Sequence, residues 1–333
     1  MSSTERPAGR GPQDPPGLDR AVELLRAGGL VAFPTETVYG LGADASNPAA
    51  VARIFAAKGR PADHPLIVHL ASAAQVADWA GEFPAAAQAL AGAFWPGPLT
   101  LVLRRSMRVP DAVTGGQDTV GLRVPSHPVA HELLRRFGGG VAAPSANRHG
   151  RVSPTRAGHV REELGERVDL VLDGGDCEVG LESTIVGCDE GGVTLLRPGH
   201  ITLADLEQVV GPVRLPSSRA PRVPGSLRSH YAPATPVELM TQDAIGDLAS
   251  GDGASRLAVL ARRPGPPGAA VLAWRELPAD PQGYGRALYA ALRELDGLGA
   301  GRILVERVPS GDAWAAVADR LERAARRDPP EAT

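Results

Sequence analysis

The chain has 333 residues, of which 43% are hydrophobic and 22% are charged, and its formal net charge at pH 7 is −3. This composition is typical of an ordinary globular protein and leaves room for two domains. The balanced charge argues against attachment to nucleic acid or membrane through a global basic field, so any anion site has to be local.

Cysteine content and hydropathy exclude two further classes. Cys177 and Cys188 lie eleven residues apart and form no Cys-x-x-Cys pair, which indicates inert thiols rather than a disulfide framework or a zinc site. No apolar run approaches the length of a membrane span, and the N-terminus lacks a signal-peptide core. We therefore expect a cytoplasmic enzyme without a membrane partner.

The first predicted strand runs into a cluster of hydroxyl groups and glycines. Residues 1–16 are polar and rich in proline and glycine, which predicts disorder, and a helix follows that stops at Gly28. The strand at 30–33 then breaks at Pro34 and is followed by PTETVYGLG. A strand that ends in such a cluster usually points its carboxyl end at a ligand.

The next helix delivers two cations. Asn47 and Pro48 suit its N-cap and first position, and its far end carries Lys58 and Arg60. Two fixed cations beside a hydroxyl-rich strand end suit a polyphosphate. An isolated Lys-x-Arg is also explained by a solvated basic turn, and the pattern alone leaves both readings open.

Two later strands carry candidate binding groups. Residues 119–125 alternate apolar side chains on one face and place Arg123 on the other, as a ligand contact or as an exposed edge-strand arginine. The strand 141–143 runs into PSAN, whose small side chains let a nucleotide approach the backbone. Ser153 is suited either to a ligand or to capping the next helix.

Strands and helices alternate again up to residue 212, which predicts an α/β domain over residues 17–212. Residues 213–236 change character, with five prolines between Pro216 and Pro236, and predict an extended, semi-rigid linker. His230 and Tyr231 form an exposed aromatic pair in the middle of this linker, which is an unusual feature for a mere spacer.

A second, smaller α/β domain is predicted over residues 237–328, with a Rossmann-like pattern. Its predicted strands lie at 237–240, 257–260, 270–272 and 303–305, and its predicted helices lie near 243–250, 283–297 and 312–326. No Gly-x-Gly-x-x-Gly follows its first strand, so we assign no nucleotide to it. A packing or regulatory module is the better interpretation.

Seven motifs occur in order along the chain, and the resemblance that they carry covers about residues 15–325: PTETVYGLG, KGRP, LIVH, PSAN, GLEST, LRPG and SHYAP. Together they resemble the YrdC-like threonylcarbamoyl-AMP synthases, in the long form with an additional C-terminal domain. The resemblance implies a twisted mixed sheet around a concave basic cleft. It also implies that the linker folds back over the cleft as a lid and brings Tyr231 towards the nucleotide.

The activity implied by the resemblance is nucleotidyl transfer: L-threonine, bicarbonate or CO2, and ATP give L-threonylcarbamoyl-AMP and pyrophosphate. The product would feed N6-threonylcarbamoyladenosine modification of tRNA, so tRNA or a tRNA-modification complex is the expected downstream partner. Mg is expected with ATP, held mostly by phosphate oxygens and water. Such a reaction depends on positioning and charge neutralisation, which suits a sequence without a Walker A motif, Gly-x-Ser-x-Gly or a metal-ligand cluster.

The resemblance assigns two sets of binding residues. Those that would bind L-threonine are Thr35, His69, Arg123, Ala143 and Ser183. Those that would bind ATP are Lys58, Arg60, His64, Thr119, Ser145, Asn147, Ser153, Arg197 and Tyr231. Arg123 would pair with the threonine carboxylate, and Lys58 and Arg60, as catalytic residues, would neutralise the phosphates and the pyrophosphate leaving group. His64 stands where the family often has asparagine, so its charge would depend on pH and its role is left open.

Two other functions share parts of this pattern. The YrdC-like domain also occurs in hydrogenase-maturation carbamoyltransferases, but these carry zinc-finger cysteines and further domains. A non-enzymatic module that grips double-stranded RNA would need clustered Lys and Arg, and its binding would depend steeply on salt. It would not require Arg123, Ser183 or a lid with Tyr231.

Overall fold

The structure is a computed structural model that describes residues 17–217, 220–225 and 230–326. The disorder expected for residues 1–16 falls outside these ranges. The helices within them are α1 Leu18–Arg26, α2 Pro48–Lys58, α3 Val76–Trp79, α4 Ala85–Phe94, α5 Asp111–Thr114, α6 Pro128–Phe137, α7 Ala157–Leu164, α8 Leu203–Val210, α9 Gln242–Ser250, α10 Pro281–Asp296 and α11 Ala315–Ala325.

The strands build two sheets. Their bounds are β1 Val31–Phe33, β2 Gly40–Asp44, β3 Ile67–His69, β4 Leu99–Arg104, β5 Thr119–Arg123, β6 Val141–Ala142, β7 Leu170–Val171, β8 Thr184–Asp189, β9 Gly192–Arg197, β10 Val237–Met240, β11 Leu257–Ala261, β12 Ala273–Glu276 and β13 Arg302–Glu306. The short 3-10 turns are Ala73–Gln75, Gly165–Arg167, Ala254–Arg256 and Asp312–Trp314.

The first sheet is mixed and has nine strands in the order β7-β1-β2-β6-β3-β5-β4-β8-β9. In its middle, β3 and β5 are parallel and place His69 opposite Arg123. β4 runs antiparallel to β5 and parallel to β8, so β8 begins at the edge where β3 and β5 end. The mixed α/β fold predicted from the sequence is therefore confirmed.

Helices cover both faces of this sheet. Val31 and Phe33 of β1 pack with α1 and α6, whereas Ala32 between them packs in the larger cluster that includes α2. This alternation follows from the two-residue period of a strand. The cap of α2 is local, because the Asn47 side chain accepts from the backbone N–H groups of Ala49 and Ala50, as the sequence predicts.

The second sheet is parallel throughout, in the order β10-β13-β11-β12. α10 and α11 pack on one face and α9 on the other, which matches the Rossmann-like pattern. The boundaries at residues 212 and 236 stay predictions. Within the three described ranges, no helix combines the length and the hydrophobicity that crossing a membrane requires.

The prediction of a strand at 270–272 is wrong. The fourth strand of the second sheet is β12, which begins at Ala273 and pairs with Ala258 of β11. β12 lies at the edge of the sheet, and its Arg275 and Glu276 are exposed. An edge strand tolerates charged side chains, so a search for an apolar run selects the wrong residues.

Candidate active site

Most of the predicted binding residues converge at one edge of the nine-stranded sheet. β3 and β5 end there with His69 and Arg123, and β8 begins there directly after Ser183. The cavity at this edge is lined by all five residues predicted for threonine and by four of those predicted for ATP: Thr35, His69, Arg123, Ala143, Ser183, Arg60, Ser145, Arg197 and Tyr231.

Arg123 is only 4% exposed, so the alternative of an exposed edge-strand arginine is wrong. Its strand lies between β3 and β4. The Arg123 Nη2 donates to Glu36 Oε1 at 2.7 Å, and Glu36 Oε2 accepts from the backbone N–H of Ser126. The Arg123 Nε is buried and has no partner among the described residues, so its N–H is available to a ligand carboxylate.

His69 lies opposite Arg123 and is also buried. Burial, reinforced by the charge of Arg123, lowers the pKa of His69 to about 3. The imidazole is therefore neutral at physiological pH and is a poor general base. Its Nδ1 has no partner among the described residues, so it can form a hydrogen bond with a ligand.

Lys58 ends α2 and is 3% exposed. Its Nζ donates to the carbonyl oxygen of Ser145 at 2.5 Å and to that of Asn147. Burial lowers the pKa of Lys58 well below its usual value, and the neighbouring Arg60 lowers it further. Lys58 lines a neighbouring open basin with His149 rather than the cavity itself.

Lys58 is the single lysine among the 35 basic residues of the chain, and the other 34 are arginines. A compact ammonium group fits between two carbonyl oxygens, whereas a planar guanidinium presents five donors in a rigid fork. The exception to the arginine bias thus occurs where the site requires a point charge. Residue counting alone is a signal that could have distinguished Lys58 from a solvated basic turn.

Arg60 follows the left-handed Gly59 that ends α2. Its Nη2 donates to the Pro65 carbonyl at 3.0 Å, and its buried Nε has no partner among the described residues. Burial lowers the pKa of Arg60 to about 10. Within the described ranges, Lys58, Arg60 and Arg197 form no ion pair with a carboxylate, and the charges of Glu163, Asp63 and Glu182 act on them only at longer range.

Three histidines lie in series beside these cations. The ring centroids of His64 and His149 are 5.3 Å apart, and those of His149 and His230 are 5.8 Å apart. Burial and then the charge of Arg60 lower the pKa of all three, that of His149 to about 4. Because its pKa is lowered, His64 is mostly uncharged at neutral pH and gains a proton only at a more acidic pH than an ordinary histidine.

Three other predicted ATP residues also lie outside the cavity lining. Thr119 begins β5 and contributes to a small pocket beside Arg222 and Pro224, on the approach of the linker. Asn147 donates from its Nδ2 to two backbone carbonyls, while its buried Oδ1 has no described partner. Ser153 is the third, and its contact is unexpected.

The alternative role of Ser153 as a helix cap is wrong. α7 begins after Arg156, which makes no side-chain cap. The Ser153 Oγ instead donates to Glu182 Oε1 at 2.6 Å. The serine precedes the helix by too many residues to reach its first N–H groups, and a buried carboxylate from a distant segment takes its hydrogen bond.

Ser183 is held by two neighbours. Its Oγ lies 2.7 Å from Thr100 Oγ1 of β4, and its carbonyl accepts from Arg197 Nε and Nη2. The Arg197 Nη1 also donates to the carbonyl of Pro224 in the linker, at 2.8 Å. Arg197 therefore joins the segment before β8 to the linker.

Close backbone packing fixes the position of Ser183. A Cβ at Gly199, in LRPG, would overlap the Thr184 backbone nitrogen and lie 2.7 Å from the Ser183 carbonyl carbon. We expect Gly199→Ala to destabilise the protein by about 1–3 kcal/mol through overpacking, and to raise the KM for threonine, as calorimetry and steady-state kinetics would measure. The matched control is Gly92→Ala in α4, where an added Cβ meets nothing within 4 Å. Equal effects of the two substitutions would contradict this prediction.

The aromatic pair of the linker is buried, contrary to the prediction of an exposed pair. His230 is 5% exposed and Tyr231 is 1% exposed. Tyr231 stacks on Tyr289 of α10, with ring centroids 5.9 Å apart. Its φ of 60° is the only positive φ of a non-glycine residue in the described ranges, a conformation that costs about 1–2 kcal/mol. Tertiary contacts therefore hold Tyr231 where it is.

Sequence reasoning missed two buried carboxylates, Glu36 and Glu182. Each is adjacent in sequence to a residue predicted to bind the substrate L-threonine, Glu36 to Thr35 and Glu182 to Ser183. Each also pairs with a buried arginine. A signal was available for Glu36, because an arginine on the buried face of a strand requires a counter-charge. Glu182 lies in GLEST and accepts from Ser153, Tyr289 and Arg320.

The donor set does not fit a resident divalent cation. Within the described ranges, no group of three or more His, Cys, Asp or Glu side chains is placed to hold a metal ion. The ligand-facing groups are cationic nitrogens and hydroxyls, and both nearby carboxylates are engaged by arginines. Magnesium, which prefers carboxylate and phosphate oxygens, would have to bring its own ligands.

Two family models match consecutive parts of the chain. Sua5_yciO_yrdC, described as "Telomere recombination", matches residues 23–199. Sua5_C, described as "Threonylcarbamoyl-AMP synthase, C-terminal domain", matches residues 201–326. The two matches follow the order of the two sheets.

Two curated relatives are named threonylcarbamoyl-AMP synthase. The Bacillus subtilis protein is 40% identical over 325 residues, covering 93% of this chain and 93% of that protein. The Pyrococcus abyssi protein is 48% identical over 223 residues, covering 65% of this chain and 66% of that protein.

A solved structure extends the similarity to the fold. Pyrococcus abyssi Sua5 complexed with L-threonine superposes with a TM-score of 0.86 at 40% identity, covering 92% of this chain and 94% of that chain. The chain therefore belongs to the Sua5/YciO/YrdC family, in the form that also carries the C-terminal domain of threonylcarbamoyl-AMP synthases.

Proposed function

We propose that this protein makes L-threonylcarbamoyl-AMP and pyrophosphate from L-threonine, bicarbonate or CO2, and ATP. One observation carries the proposal: all five residues assigned to threonine and four of the nine assigned to ATP line a single cavity. Two relatives named for this product, and one solved with L-threonine, support it. The match of residues 201–326 favours it over a carbamoyltransferase of hydrogenase maturation.

Threonine would bind at the ends of β3 and β5. The unpartnered Nε of Arg123 would donate a charge-assisted hydrogen bond to the threonine carboxylate. The hydrogen bond from Arg123 Nη2 to Glu36 would hold the guanidinium in a fixed orientation. The neutral His69, whose Nδ1 has no described partner, supplies an uncharged hydrogen-bonding group on the same cavity wall. Thr35 also lines this wall, and its hydroxyl donates to the Val38 carbonyl. Ser183 would complete the subsite from the start of β8.

The phosphates of ATP would lie against Lys58, Arg60 and Arg197. The charged form of a buried cation is unfavourable when no ion pair compensates for the loss of solvation, and burial accordingly lowers the pKa of all three groups. A polyphosphate would supply the missing negative charge and raise these pKa values again. The site is therefore preorganised to attract the negative charge of the substrate phosphates and of the pyrophosphate leaving group.

The reaction requires no covalent enzyme intermediate. The uncharged amino group of threonine attacks the carbon of CO2 and loses a proton to solvent, or attacks the carbon of bicarbonate with loss of water, and in either case gives a carbamate. A carbamate oxygen then attacks the α-phosphorus of ATP, the bond from that phosphorus to the β-phosphate oxygen breaks, and pyrophosphate leaves. Positioning and charge neutralisation account for such a step without an acid–base pair. Magnesium would arrive as the Mg complex of ATP, as part of the substrate.

The linker would act as a lid. The cavity has a volume of only about 50 Å³, whereas pockets for ligands of nucleotide size have roughly 300–1,000 Å³. Pro224, Gly225, His230 and Tyr231 form part of its wall. ATP would therefore enter while this part of the linker is open, and the linker would then close again over the bound nucleotide and add to its affinity. The product would pass to a tRNA-modification complex.

The deciding test is pyrophosphate release by the purified protein with Mg-ATP and bicarbonate, in the presence and absence of L-threonine, with mass detection of threonylcarbamoyl-AMP. Threonine-dependent release with formation of that product is the expected result. Release that is indifferent to threonine would refute the choice of acceptor. Absence of release, together with salt-sensitive binding of double-stranded RNA, would favour a binding module instead.

A further inference from the structure

A carboxylate beside the predicted threonine subsite is held from the C-terminal part of the chain. Glu182 is 7% exposed and accepts three hydrogen bonds. One comes from Ser153, at 2.6 Å, and two come from Tyr289 and Arg320, at 2.9 and 2.8 Å. Burial raises the pKa of Glu182, but the charges of Arg320 and Arg197 and these hydrogen bonds outweigh burial and hold the pKa below its usual value. Glu182 is therefore ionised, and its orientation depends on residues of α10 and α11.

Arg320 in α11 has an unusual environment for an arginine. Its side chain is 0% exposed, and its Nε and Nη1 donate to Glu182 and Asp319. Its Nη2 has no hydrogen-bond partner among the described residues. The guanidinium carbon lies 5.1 Å from the centre of the Tyr231 ring, within the range of a cation–π contact.

One guanidinium thus connects three parts of the molecule. Its hydrogen bond to Glu182 connects it to the segment that carries Ser183, and its contact with Tyr231 connects it to the linker. Arg320 itself lies in α11, which packs on the second sheet. Tyr231 contacts both the Arg320 guanidinium and the Tyr289 ring, and its strained φ of 60° needs such support.

We propose that Arg320 is a positioning residue of the reaction, which holds the Tyr231 lid closed and Glu182 in place so that the C-terminal part of the chain completes the substrate cleft. It touches neither substrate, and its effect passes through Tyr231, Glu182 and Ser153. The inference deepens the proposed function, since it assigns to the C-terminal part a role in closing the same site.

The test compares Arg320→Lys with Arg262→Lys in the full-length protein. Arg262 offers the same chemistry away from the cleft, because it pairs with the buried Glu306 and lies 5.8 Å from the Trp314 ring centre. Lysine keeps the charge in both variants but lacks the planar face and the additional donor nitrogens of the guanidinium. Steady-state kinetics and hydrogen exchange by mass spectrometry are the readouts.

We expect Arg320→Lys to raise the KM for ATP at least tenfold, with kcat changed only a few-fold. The amides of residues 230–236 should exchange faster, including that of Ala232, which donates to the Gly150 carbonyl at 2.9 Å. Exchange in β11 should stay unchanged. We expect neither effect from Arg262→Lys. Indistinguishable KM values and exchange patterns for the two variants would overturn the inference.

Tyr289→Phe covers the case in which Arg320→Lys is too unstable to assay. It removes one of the three donors to Glu182 and keeps the ring beneath Tyr231. A threefold or larger rise in the KM for ATP supports the inference, and an unchanged KM overturns it. If the unmodified protein releases no threonine-dependent pyrophosphate, the proposed function fails, while the exchange comparison still decides the role of Arg320.

Discussion

Lys58→Ala should lower kcat/KM for ATP by roughly 100- to 1,000-fold, the loss that follows removal of one preorganised electrostatic contact. Lys58 is buried and places its charge between the Ser145 and Asn147 carbonyls, so solvent cannot replace it. Pyrophosphate release at varied ATP concentration measures the effect. Arg53→Ala is the control, since it removes a cation from the same helix that is half exposed and paired with Asp169. Equal losses in the two variants would refute a special role for Lys58.

The pKa of Lys58 can be observed directly, because Lys58 is the only lysine in the chain. Protein labelled with 13Cε-lysine should give a single lysine resonance whose titration midpoint lies well below the usual lysine value of 10.5. As pH rises, a lysine with a lowered pKa loses its charge at a lower pH than an ordinary lysine does, and ATP affinity should fall over the same pH range. Binding of ATP should raise the midpoint, since phosphate favours the charged form. A midpoint near 10.5 that ATP leaves unchanged would contradict the buried-cation account.

Arg123→Lys should raise the KM for L-threonine by about 10- to 100-fold and leave the KM for ATP nearly unchanged. A hydrogen bond to a charged group contributes about 1.5–3 kcal/mol, and each 1.4 kcal/mol corresponds to a factor of ten. Lysine can keep the ion pair with Glu36, but its single nitrogen cannot also place a donor where the Arg123 Nε lies. Kinetics with each substrate varied in turn measures the two KM values.

Arg302→Lys is the matched control for this substitution. Arg302 also lies on a strand and pairs with Glu238, but both side chains are about 40% exposed and belong to the second sheet. We expect wild-type kinetics from it. A parallel rise of both KM values in Arg123→Lys would assign Arg123 to the general integrity of the site and contradict its selective contact with threonine.

Local sequence signals identified several elements correctly. Asn47 and Pro48 start α2 as predicted, because a capping side chain acts on N–H groups two and three residues away. The alternation over residues 119–125 placed Arg123 correctly on the strand face opposite Val120 and Leu122. The same reasoning misplaced β12, since hydrophobicity indicates buried strands better than edge strands.

The partners of the charged groups required the tertiary structure. Glu36 lies 87 residues from Arg123, and Glu182 lies 138 residues from Arg320, so no spacing rule joins them. The burial of Tyr231 likewise depends on Tyr289 and Arg320, which follow it on separate helices. Composition, caps and strand alternation, which depend on near neighbours, determined the α/β class, and the resemblance carried by the seven ordered motifs implied the candidate binding residues. Which carboxylate neutralises which arginine, and what covers the cleft, was decided by packing between distant segments, because buried charge is stabilised only by groups that folding brings within a few ångströms.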